Sequence, residues 1–171
     1  MLIGLDFDNT LACYNDVFSS EAKIKGLVRK EWVGNKQELK LLLERQEDGQ
    51  NIWQRLQGQV YGPSMQKATL FPGVARFLLR CKLEGHTIFI ISHKTKYGHF
   101  DKTKTLLRAA AIKWMDSQGF FKDNLYGIKR KNIFFANTQG EKVLKIKSFN
   151  LDFFVDDLEE IFLHYDFPEI K

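Results

Sequence analysis

Four aspartates, a serine and a lysine stand where residue type and spacing can do chemistry. Asp6 and Asp8 lie two apart at the end of the apolar run 2–7, so in continued strand geometry both carboxylates project to one side. One ionised carboxylate of such a pair can attack an electrophile or hold a metal. Its neighbour, with a pKa raised by burial or hydrogen bonding, can donate and recover a proton. A lone pair of this kind reads more simply as an Asx turn, but this one has company. Asp156 and Asp157 close another apolar run, 151–155, in the same fashion. Carboxylates gathered at one edge repel one another unless a cation sits among them, and magnesium suits hard oxygen ligands. Ser92 ends a third run, 87–91, and offers a hydroxyl and backbone amides to a phosphate oxygen. For the positive charge, Lys142 opens a helical stretch after Gly140, where a helix N-terminus also attracts anions. Lys145 is the runner-up, because residues three apart share a helix face, and Lys147 stands close by.

These residues need elements to position them. The runs 2–7, 87–91, 132–136 and 151–155 have the length and composition of buried strands. Helical spacing falls between them, over 102–118 with Gly119 as a C-cap, over 141–148, and over 158–165 as a closing helix. The turn Pro72-Gly73 opens a further helix through Phe77, Leu78 and Cys81. Alternation of this kind predicts an α/β fold, a three-layer Rossmann-like parallel sheet with helices on both faces. Ligands of such sheets sit outside the carboxyl ends of the strands, where the polar residues above would converge. The stretch 14–69 has charged helical segments such as 37–46 and no strand pattern, and reads as a small helical insertion after the first strand. The expected division is a core of 1–13 and 70–171 with 14–69 inserted.

The chain has 171 residues, 44% hydrophobic and 27% charged, enough for one sizeable core and too apolar for a disordered tail. No apolar run approaches the roughly 18 residues of a membrane span, and no signal peptide pattern opens the chain. Cys13 and Cys81 stand alone with no metal or redox spacing, which fits a reducing cytoplasm. The net charge of +5 is unevenly spread: 94–147 carries 13 basic and 4 acidic residues, whereas 148–171 carries 1 and 7. A basic field of this size gathers anions. No arginine run or aromatic-basic repeat accompanies it, so nucleic acid ranks well behind a small anion. Ser92 and His93 form no hydrolase triad, since neighbours on a strand point opposite ways, and His93 with His99 lacks the further ligands of a zinc site.

In their order along the chain, Asp6-Phe7-Asp8-Asn9-Thr10, Ile88-Phe89-Ile90-Ile91-Ser92, a lysine, and Phe153-Phe154-Val155-Asp156-Asp157 resemble the four motifs of the haloacid dehalogenase-like hydrolases. The resemblance covers the whole chain. It implies that Asp6 is a nucleophile forming an aspartyl-phosphate and Asp8 the general acid, then base. Members that are dehalogenases lack that second aspartate, so the resemblance points to a phosphatase. It further implies Mg2+ on Asp6, the Asp8 backbone carbonyl and Asp156, with Asp157 reaching it directly or through water. Asn9, Thr10, Ser92, His93 and Lys142 would line the phosphate site, with Thr10 steadying the first loop; apart from the resemblance, an alternative for the stretch 92–96 is that His93 or Lys94 grips the leaving group just beyond it. The insertion falls where the family's helical cap sits, and Trp53, Arg55 and Tyr61 are expected to pack it rather than touch substrate. The expected activity is therefore Mg2+-dependent hydrolysis of a small phosphorylated metabolite, a sugar phosphate or nucleotide. The alternatives are a catalytically weak phospholigand-binding or regulatory domain and a nucleic-acid end-processing phosphatase, the latter with binding that weakens steeply in salt. Oligomeric state is silent in the sequence.

Overall fold

The computed structural model describes residues 1–98 and 104–170. In chain order its main elements are β1 (Leu2–Leu5), α1 (Asn15–Ile24), α2 (Lys36–Glu44), α3 (Gly49–Tyr61), α4 (Val74–Leu83), β2 (Thr87–His93), α5 (Leu107–Ser117), β3 (Ile133–Ala136), α6 (Gln139–Ser148), β4 (Phe153–Val155) and α7 (Glu159–Phe162). The chain groups into two compact units, one of Met1–Cys13, Leu70–Thr95 and Met115–Lys171, the other of Tyr14–Thr69 with Lys96–Trp114. The expected division assigned 96–114 to the sheet domain; the described residues of that segment group instead with the helical insertion, where the Trp114 indole donates to the Ala68 carbonyl at 2.8 Å.

The first unit is α/β, a parallel four-stranded sheet of order β3-β2-β1-β4 flanked by helices. That is the strand order of a Rossmann-like half sheet, whose switch point lies between β1 and β4. β2 is central and buried on both sides: Ile88 and Ile90 alternate with Ile91, all at most 7% exposed. One face carries an apolar cluster in which Ile91 meets Val143 and Ile146 of α6, Leu151, Phe154 and Ile161. Burial of each such side chain contributes about 1.5–3 kcal/mol. Gly4 is required by space, since a Cβ there would meet Leu151 Cδ1 at 2.5 Å and Phe154 Cδ2 at 2.6 Å. The start of β4 is tied to β1 by Leu2 N–H, which donates to Asp152 Oδ2 at 2.7 Å, and by Asp152 N–H, which returns to the Leu2 carbonyl at 2.8 Å.

In the second unit α1, α2 and α3 bury one stripe each, with Phe18 of α1 stacked on Trp53 of α3 at 5.0 Å between centroids. Asn35 and Glu38 form a capping box that starts α2. Trp53 is buried, Tyr61 packs edge-on against Tyr14 and Phe18, and Arg55 pairs with Asp48 on the surface. Glu21 is buried and accepts from Ser64 Oγ at 2.8 Å and Lys67 Nζ at 2.7 Å. Burial acts to raise its pKa, but the hydrogen bonds from Lys67 and Ser64 outweigh it and hold the carboxyl below its usual range.

Several elements differ in length from expectation. β2 runs through Ser92 and His93 because they pair with Phe135 and Ala136 of β3, so ladder hydrogen bonds override the polarity that suggested an end at Ile91. α6 starts at Gln139, two residues early, because the Thr138 side chain accepts from Glu141 N–H at 3.1 Å. α7 stops at Phe162: Leu163 and Tyr165 are 74% and 90% exposed, so no buried face extends the turn. The helix expected over 102–118 begins at Leu107, and Lys102 lies outside the described residues. Among the described residues no helix is long and apolar enough to cross a membrane.

Candidate active site

The polar strand ends gather at the carboxyl edge of the first unit's sheet, astride the β1–β4 switch point. Asp6 N–H donates to the Val155 carbonyl at 2.8 Å, which extends the ladder one residue past β1 and seats Asp6 beside Asp156. Asp6, Asp156 and Asp157 each present a carboxylate oxygen within 4.8 Å of the others. Lys142, in the first turns of α6, is 1% exposed and reaches Asp6 Oδ1 and Asp156 Oδ2, each at 2.6 Å. Lys145 goes elsewhere: its ammonium lies over the rings of Phe134 and Phe149 at 4.5 and 4.9 Å. Lys147 is near Asp166 at the surface. Burial pushes the Asp6 carboxyl up to about 7; Lys142 opposes this, and the charges of Asp156 and Asp8 add to it.

Beyond β1 the chain turns sharply. Leu11 and Ala12 N–H groups both donate to the Phe7 carbonyl at 3.0 Å, and Asn9 sits at φ 61°, a left-handed conformation that asparagine tolerates. The turn aims the Asn9 amide at Asp157 Oδ2, 3.1 Å away. Asn9, expected at the phosphate, thus orients a carboxylate of the acidic group. Asp8 meets Lys94, whose ammonium lies 3.0 Å from Oδ1 and 2.8 Å from Oδ2. Lys94 is 4% exposed. Its partnership with Asp8 was not read from the sequence, although a signal existed: Ser92 and Lys94 are two apart and share a strand face.

Thr10 Oγ1 and Ser92 Oγ are buried with no hydrogen-bond partner among the described residues. An unsatisfied buried hydroxyl costs about 1–3 kcal/mol, a cost that an arriving ligand oxygen offsets. His93 is not brought to this group: it is exposed, and its Nε2 donates to the Asn137 carbonyl at 2.9 Å. His99 lies outside the described residues. Cys13 and Cys81 are both free thiols. Replacing Ser92 by alanine separates the two sides of this balance. The melting temperature is expected to hold or rise slightly, while the dissociation constant for inorganic phosphate, measured by titration calorimetry, rises about 10-fold, the value of one hydrogen bond to a charged group.

No family model matches the sequence, and no curated protein matches it. Among solved structures the chain is similar to a haloacid dehalogenase-like family hydrolase from Xanthomonas campestris, at 14% identity and a TM-score of 0.42, over 92% of this chain and 74% of that one. It is also similar to a dehalogenase, at 13% identity and a TM-score of 0.33, over 95% of each chain. At such identities the chemistry is carried by the site's own residues.

Proposed function

We propose that the chain is a haloacid dehalogenase-like phosphatase that hydrolyses a small phosphorylated metabolite, a sugar phosphate or nucleotide, through an aspartyl-phosphate on Asp6. The observation that carries this reading is the buried Asp6 held between Lys142 and the acidic pair Asp156 and Asp157 at the sheet's switch point. Four carboxylates, Asp6, Asp8, Asp156 and Asp157, face two buried ammonium groups, Lys94 and Lys142. The all-oxygen donor set of this acidic group suits Mg2+. Asp6, Asp156, Asp157 and the Asp8 backbone carbonyl would hold that ion. When bound it would supply Lewis-acid neutralisation of the charge on the transferring phosphoryl group.

The chain's own residues account for the rest. An Asp6 carboxylate oxygen attacks phosphorus in line, forming an O–P bond as the ester P–O bond breaks. Lys142 favours the ionised form of Asp6 and so offsets part of the effect of its burial, and it lies where phosphoryl oxygens would gather charge. The orphan hydroxyls of Thr10 and Ser92 provide hydrogen bonds awaiting an oxygen partner. Asp8, entering the step as the protonated acid, gives that proton to the departing oxygen. It then takes one from the water that attacks phosphorus and releases phosphate and free Asp6. The helical insertion occupies the sequence position of the family's cap.

The test is phosphate release from sugar phosphates, nucleotides and a chromogenic aryl phosphate, with Mg2+ or with EDTA. Release that falls at least about 100-fold in EDTA is expected, since metal neutralisation contributes several kcal/mol to phosphoryl transfer. Equal release in EDTA would contradict the reading. So would silence across the panel from a folded protein.

A further inference from the structure

We propose that Lys94 is a positioning residue that holds the Asp8 carboxylate in its proton-exchanging orientation and so sets the rate of both half-reactions without touching substrate. The proposal rests on the phosphatase reading. Taking an ammonium out of water costs several kcal/mol unless its geometry is well satisfied, and here the side chain is 2% exposed. Asp8 supplies partners for it: the ammonium lies 3.0 Å from Oδ1 and 2.8 Å from Oδ2, and a grip on both oxygens opposes rotation about the Cβ–Cγ bond. The Asp8 side chain is 19% exposed against 2% for Lys94. The carboxylate is thus the more accessible partner of the pair.

The lysine is itself held. Its backbone N–H donates to the Ala136 carbonyl at 3.0 Å, tying it to the end of β3. Its ammonium lies 5.5 Å from the centroid of the fully buried Phe7 ring. Asp8, by contrast, sits on the turn that follows β1, outside the strand. A carboxylate on a turn, asked to reach first a leaving oxygen and then a water, is steadied by a cation fixed to two neighbouring strands. Supporting shells of this kind give a site its precision.

The test compares Lys94→Met and Lys94→Gln in wild-type and Asp8→Asn backgrounds, with an aryl phosphate and Mg2+, following steady-state release and acid-quenched phosphoenzyme. Removing the Lys94 grip on Asp8 is expected to lower kcat about 10- to 100-fold with KM changed less than about threefold, the size of effect that loss of orientation produces. Lys94→Gln, whose amide still donates to the carboxylate, is expected to retain roughly a fifth or more of the wild-type rate. In the Asp8→Asn background Lys94→Met should alter phosphoenzyme formation less than about twofold, since no carboxylate remains to be aimed. An unchanged kcat in folded Lys94→Met overturns the proposal. Equal losses in both backgrounds overturn it too, as general structural damage, and so does a raised KM at constant kcat, as direct substrate contact. If Lys94→Met does not fold, Lys94→Gln and the double variant, in which no carboxylate is stranded, decide the same question. A wild-type protein with no Asp6-dependent release overturns the phosphatase reading and this proposal together. Asp6-dependent release with kcat indifferent to Lys94 overturns this proposal alone.

Discussion

Asp6→Asn is expected to remove phosphate release while leaving the fold intact, with kcat/KM lowered by about 10^4-fold or more, the scale of losing a nucleophile from a concerted site. Asparagine keeps the size of the side chain and a hydrogen-bonding oxygen but cannot form the acyl-phosphate. The fold should not suffer, because the carboxylate is itself a burden where it stands. Burial pushes its pKa up to about 7, which means that the ionised form is held there at a cost, and a neutral amide relieves part of it. The melting temperature of the variant should therefore match or exceed that of the wild-type protein without metal. Retained release would remove Asp6 from the reaction. Loss of folding would make Asp6 a structural residue.

The second large effect is expected at Lys142. Lys142→Met retains most of the volume and removes the charge, leaving Asp6 and Asp156 facing each other with no cation between them. Breaking a buried pair in this way costs about 3–5 kcal/mol, read as a lower urea midpoint at unchanged slope. The rate should fall about 10²- to 10³-fold, as when one preorganised charge partner of a transition state is lost. Mg2+ should raise the melting temperature of Lys142→Met more than that of the wild type, because a divalent cation restores compensation to the same two carboxylates. Equal Mg2+ shifts in both proteins would place the ion away from Asp6 and Asp156. An unaltered rate would leave Lys142 as a structural counter-ion only.

Much of this arrangement was legible in the residues. Apolar runs that stop at Asp6, Ser92 and Asp156 mark strand ends, since a run of strand length closed by polar groups needs no tertiary information to be read. Alternation of strand and helix then implies a parallel sheet and places those ends on one edge. Local signals also explain why 14–69 carries helices: the stripes of Phe18, Leu39, Leu43, Trp53 and Leu56 recur at helical spacing.

Other features depended on which distant segment arrives where. Lys142 and Lys145 share a helix face, and spacing alone leaves both open. Docking of α6 through Val143 and Ile146 onto the sheet turns Lys142 to the strand ends and lays Lys145 on Phe134 and Phe149. Lys94 and Asp8 are 86 residues apart, and Asn9 and Asp157 are 148 apart; strand parity indicates a side for each but names no partner. Strand order is the physical reason. With β1 between β2 and β4, the ends of three strands become neighbours. Residue types alone therefore pointed to the chemistry proposed for this protein, and the tertiary packing decided which lysine, which asparagine and which hydroxyls stand around the carboxylates.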